Sequence, residues 1–180
     1  EELLNLVQEP FQDSTLRQFV GSLFFLQSLS SYLLFLREVR KENKMASVIF
    51  LGTNGSLQER GSGNTSLLLF SSDYKTLVDV SSNIQEAVKV DIDSVIITHN
   101  HTDHVYGIPS LLHQLWLGGR KRLLVIYAPK PVIELVNTLI DAFSLREKKH
   151  FFPLEVKEVE DLRIGNTEIS FFKTDHTDAS

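Results

Sequence analysis

Cysteine is absent from the chain, and methionine and tryptophan occur once each, as Met45 and Trp116. Without thiols there is no disulfide framework, no thiolate metal site and no cysteine nucleophile, which fits a reducing compartment. Neither sign of charge dominates. Eighteen basic residues against 23 acidic ones leave a net charge of −5, so the sum carries no basic footprint of a nucleic-acid-binding surface, although patches matter more than totals. Only five prolines and nine glycines, with 42% hydrophobic and 23% charged residues, exclude collagen-like and disordered chains. No Gly-Lys-Ser/Thr follows the stretch from Gly55 to Gly63, which excludes a P-loop. Ser56, Ser62 and Ser66 lack a nucleophile-elbow context.

One long uncharged run lies between Arg17 and Arg37. Phe19, Val20, Leu23, Phe24, Leu26, Leu29, Leu33, Leu34 and Leu36 would cover most of a helix circumference. The pattern predicts a helical extension over residues 1–44. Gln18, Gln27 and serines dilute the run, and acidic residues precede it. It therefore makes a poor signal peptide, and a buried or partner-packed helix pair is expected rather than a membrane span.

After Met45 the periodicity changes, which marks a second segment over 45–180. Short β-branched and aromatic runs predict strands at 47–51, 94–98 and 123–127, and a hairpin from 67–70 and 76–80. Helices are expected at 83–90, at 109–117 before Gly118-Gly119, and at 131–143. Strands at 154–158, 162–164 and 168–173 come last. Strands alternating with helices make this a mixed α/β chain of stacked layers.

The chemistry concentrates in Thr98-His99-Asn100-His101-Thr102-Asp103-His104, directly after a predicted strand. Three of the six histidines sit here beside a carboxylate. Imidazole and carboxylate donors suit zinc and similar ions. On an extended backbone His99 and His101 share a face, since side chains alternate with period two. Asp103 and His104, past the turn, are placed for a second ion.

The pattern His99-x-His101-x-Asp103-His104 resembles the signature of the metallo-β-lactamase superfamily. The segments at 50–56 (FLGTNGS), 63–66 (GNTS), 98–112 (THNHTDHVYGIPSLL) and 123–129 (LLVIYAP) are similar to ribonuclease Z, which trims the 3′ trailer of precursor tRNA. The resemblance implies an αββα sandwich, of which residues 45–180 supply the first half. It implies two metal ions, Zn2+ or alternatively Mn2+, with His99, His101 and His176 on the first and Asp103 and His104 on the second. It also implies that Asp103 takes the proton of the attacking water, and that Asp79 buttresses the metal loop. A cytoplasmic, homodimeric enzyme acting on RNA is the corresponding expectation, with a partner chain as the alternative source of the missing half and no membrane association.

One departure stands out. Ribonuclease Z usually continues its hairpin aspartate as D-x-G-E-G-T-Q, whereas residues 79–85 read DVSSNIQ. This leaves room for a hydrolase acting on another substrate, such as a cyclic nucleotide, a phosphonate ester or a thioester, or for a non-catalytic metal-binding subunit. The basic clusters at 120–122 and 146–150 are expected to be solvated surface, since phosphate binding needs several aligned cations. His113 is expected at the surface or in packing, and Trp116 in the core.

Overall fold

Leu67, Leu68 and Leu69 are consecutive and all buried, as a strand covered on both faces requires. The computed structural model that shows this describes residues 32–38, 46–57, 63–71, 74–159, 161–164 and 167–173. Their strands are β1 (Tyr32–Glu38), β2 (Ser47–Gly52), β3 (Ser66–Ser71), β4 (Tyr74–Val78), β5 (Ser94–Ile96), β6 (Leu124–Ala128), β7 (Leu154–Glu158), β8 (Leu162–Ile164) and β9 (Thr167–Lys173). The helices are α1 (Ile84–Val90), α2 (Thr102–Val105), α3 (Ile108–Leu117) and α4 (Lys130–Ala142).

Six strands form one sheet in the order β2-β3-β4-β5-β6-β7, and three form another in the order β1-β9-β8. In the large sheet β2, β3 and β4 are antiparallel neighbours, whereas β4 to β7 pair in parallel. The parallel strands advance in one direction, so crossovers of one hand place their helices on one face. Leu68, Leu77, Val95 and Ile126 accordingly pack there with Leu112, Val136 and Ile140 of the helices. The opposite face presents Leu67, Leu69, Val78 and Ile96, which meet Ile169 of β9. A buried hydrogen bond from Thr167 Oγ1 to Ser71 Oγ (2.6 Å) also joins the two sheets. The described layers are thus helices, sheet and sheet.

Residues 32–38 correct the helical reading of the N-terminal segment. They form β1, antiparallel to β9, with Tyr32 opposite Lys173 and Glu38 opposite Thr167. A short Leu- and Phe-rich run is ambiguous between the two periods, and pairing with a neighbouring strand overrides helix propensity. The remainder of the predicted extension, residues 1–31 and 39–44, lies outside the described residues.

Arg120 corrects a second expectation. It is buried rather than solvated. Its guanidinium donates to Asp91 Oδ1 (2.5 Å) and to the carbonyls of Ile92 (2.8 Å) and Leu123 (2.8 Å), and it lies 5.5 Å from the Phe152 ring centroid. Burial lowers its pKa, with Asp91 acting the other way. Trp116 is only partly buried against the helical core and donates Nε1–H to the Lys149 carbonyl at 3.1 Å. Among the described residues no helix is long and apolar enough to cross a membrane.

Leu77 is fully buried whereas Tyr74 on the same strand is 52% exposed. Leu77→Ala is expected to lower unfolding stability by about 2–5 kcal/mol. Tyr74→Ala is expected to change it by about 0.5 kcal/mol or less. Equilibrium urea unfolding of the two variants checks the core assignment.

Candidate metal centre

The ligand-rich loop starts at the carboxyl end of β5, beside the carboxyl end of β4, where parallel sheets commonly place their sites. Ile97 N–H still bonds the Tyr127 carbonyl (2.8 Å), after which the chain leaves the sheet. Asp79, immediately after β4, organises this loop. Its backbone sits in the left-handed region at φ 56°, and its own N–H is held by the Ile96 carbonyl at 2.8 Å. That backbone conformation costs on the order of 1–3 kcal/mol. Each hydrogen bond to a charged group contributes about 1.5–3 kcal/mol, and Asp79 accepts several.

Asp79 Oδ1 accepts the Thr98 N–H at 2.8 Å, while Oδ2 lies 2.8 Å from Thr98 Oγ1 and 2.7 Å from His104 Nδ1. Thr98 Oγ1 also lies 3.0 Å from His99 Nδ1. The hydroxyl has one proton, and the carboxylate takes it. His99 Nδ1 must then donate to Thr98, and His104 Nδ1 donates to Asp79. Both rings are thereby fixed in the tautomer that leaves Nε2 as the lone-pair donor a metal needs. Asp79 is 3% exposed and His99 2%, so little water competes for these bonds.

The expected ligands gather around this network. The His99 ring centroid is 4.5 Å from that of His101 and 4.1 Å from that of His104. His104 Nε2 is 3.4 Å from Asp103 Oδ2. Two acceptors at that separation call for a cation or a proton between them. Burial, the largest single influence, lowers the His104 pKa, but Asp79 and Asp103 together outweigh it and hold the pKa above the ordinary 6.5. The donor types and tautomers therefore suit a first-row divalent ion. Among the described residues no three side chains already close on a single ion. His176, the third nitrogen expected for the first ion, lies outside the described residues.

Sequence reasoning missed the local scaffold. Residues 102–105 form α2 rather than a loop, with His101 at its N-cap. The segment after Asp79 grips this helix through Val80 N–H to the His104 carbonyl (2.8 Å) and Gly107 N–H to the Val80 carbonyl (2.9 Å). A Cβ on Gly107 would run into the Ser81 and Val80 carbonyl oxygens. The residues that depart from ribonuclease Z have structural work here. Ser81 Oγ donates to the Asn64 carbonyl (3.0 Å), and the Asn83 side-chain amide donates to the Leu51 carbonyl. Asn64 in turn donates to Gly55 O (2.5 Å) and accepts the Tyr106 hydroxyl proton (3.2 Å). Asn64, Ser81 and Asn83 lie 16 to 35 residues before His99 in the sequence, so their bonds to this scaffold depend on tertiary placement.

Asp79→Asn should weaken metal affinity roughly 10- to 100-fold while leaving the chain folded. Metal affinity of the native chain should rise with pH as His104 loses its proton, and removing the Asp79 charge should move that rise to lower pH. Zinc titrations over a pH series, with circular dichroism as the folding control, measure both. Gly107→Ala should also weaken zinc binding in the same titration, because α2 must shift to admit the methyl group.

Comparison with known proteins agrees with this architecture. A family model described as "Anti-Pycsar protein Apyc1" matches residues 46–180. Ribonuclease Z of Nanoarchaeum equitans is 30% identical over 130 residues, covering 69% of this chain and 39% of that protein. Ribonuclease Z of Thermococcus kodakarensis is 31% identical over 142 residues, covering 73% and 44%. The chain thus spans less than half the length of these curated relatives. Among solved structures, human tRNase Z, short form, superposes with a TM-score of 0.51 at 25% identity, over 63% of this chain and 44% of that one. The metallo-β-lactamase fold protein YhfI of Bacillus subtilis gives a TM-score of 0.56 at 23% identity, over 72% and 53%. The chain belongs to the Anti-Pycsar protein Apyc1 family, within the metallo-β-lactamase superfamily, and resembles ribonuclease Z.

Proposed function

We propose that the chain carries the metal-binding half of a phosphodiester hydrolase of the ribonuclease Z type, removing the 3′ trailer of precursor tRNA. The observation that carries this reading is the Asp79 network, which engages the Nδ1 atoms of His99 and His104 and leaves their Nε2 atoms for a ligand beside the Asp103 carboxylate. His99 and His101, with His176, are assigned to one ion, and Asp103 and His104 to another, with zinc preferred and manganese as the alternative. Divalent ions held there would supply Lewis acidity and make a water acidic near neutral pH. Asp103 would serve as the proton acceptor at its carboxylate, which α2 keeps beside His104. Asp79, through Thr98 and directly, stops the rings from turning their lone pairs away. Homodimerisation and a cytoplasmic location belong to the same reading.

A second reading has its own support. The family model covering residues 46–180 carries a different description from ribonuclease Z, and residues 81–85 lack the glycine-rich continuation of that enzyme. A small phosphodiester such as a cyclic nucleotide is the substrate in that case.

Incubation with zinc or manganese, a precursor tRNA bearing a 3′ trailer and, separately, a cyclic nucleotide distinguishes the two. Cleavage at the trailer junction supports the first reading, and hydrolysis of the cyclic nucleotide alone supports the second. Asp103→Asn should slow whichever reaction occurs at least roughly 100-fold, as loss of a proton acceptor does. Hydrolysis of neither substrate contradicts both readings and leaves a metal-binding subunit.

A further inference from the structure

Tyr106 is a large aromatic residue left 40% exposed on the element that carries the site. It caps α2, donating its N–H to the Thr102 carbonyl at 3.0 Å. On a helical turn it lies one turn beyond Asp103, and residues three apart share a side of the helix. Its position is over-determined. The hydroxyl donates to Asn64 Oδ1 at 3.2 Å, and Asn64 is 2% exposed and anchored to the Gly55 carbonyl. The next residue, Gly107, is tied to Val80. The ring is therefore held at both ends while much of its surface stays in water.

Packing accounts for only part of such a ring, since 40% of the residue stays exposed. A flat π-surface with its rotamer already fixed is suited to stacking a planar base, because little entropy remains to be lost. We propose that Tyr106 is a binding residue that stacks on the nucleobase adjoining the scissile phosphate. This rests on the phosphodiester reading above and deepens it: the substrate is a nucleotide ester, held by its base as well as by its phosphate. Asn64 acts through Tyr106 as a positioning residue.

The test compares thymidine 5′-monophosphate with inorganic phosphate, both binding to the zinc-loaded chain, by calorimetric titration. Tyr106→Ala should weaken thymidine 5′-monophosphate binding about 5- to 150-fold, the range seen for loss of one base–aromatic stack, and leave phosphate binding within about 2-fold. Tyr106→Phe keeps the ring and should restore most of the nucleotide affinity. An equal loss for both ligands, a phenylalanine variant as weak as the alanine one, or no nucleotide binding by the native chain would overturn the assignment. Nucleotide binding through Tyr106 in a chain that hydrolyses no diester would uphold this assignment and contradict the proposed activity instead.

Discussion

The Asp79 carboxylate, buried where β4 ends, is the constraint on which the rest of the site depends. Its two oxygens collect Thr98 directly, His104 directly and His99 through the Thr98 hydroxyl. A buried carboxylate without such partners would be costly. With them it orients two imidazoles 4.1 Å apart and supplies the negative charge that favours a cation between His104 and Asp103. Its left-handed backbone is the local cost of pointing one side chain at a neighbouring strand's loop, and the charge-assisted bonds outweigh it.

The fold provides the platform for that arrangement. Parallel pairing of β4 with β5 brings Val78 opposite Ile96, so the loops after both strands emerge side by side. Val80, the His104 carbonyl and Gly107 then lock α2 to the β4–α1 connection. Where ribonuclease Z usually has a glycine-rich continuation, this chain has Ser81 and Asn83, whose side chains bond Asn64 of the β2–β3 connection and Leu51 of β2. Two connections are thus drawn together around the ligand loop. That loop must be stiff, because metal ligands held loosely spend their binding energy on ordering.

Much of this was legible in the sequence for physical reasons. Continuous apolar, β-branched runs such as 94–98 and 123–127 specify buried strands, and the His99 to His104 cluster is too dense for an ordinary loop. The legible features are those set by local pattern or by unusual residue chemistry. What was not legible depends on tertiary partners. The run at 32–38 becomes a strand because β9 offers it a ladder, and Arg120 is buried because Asp91 and three carbonyls receive its guanidinium. The role of Thr98 emerges only from its place between Asp79 and His99, and that of Tyr106 only from its tether to Asn64, which is 42 residues away.

The most direct test is the zinc or manganese content per chain after purification without chelator and gel filtration, for the native chain and for His99→Ala. The account predicts at least about one tightly held equivalent in the native chain, as three imidazoles and a carboxylate within six residues should retain, and a clear loss in the variant. No retained metal in the native chain, or retention unchanged by His99→Ala, would contradict the claim that this network is built to hold a metal ion.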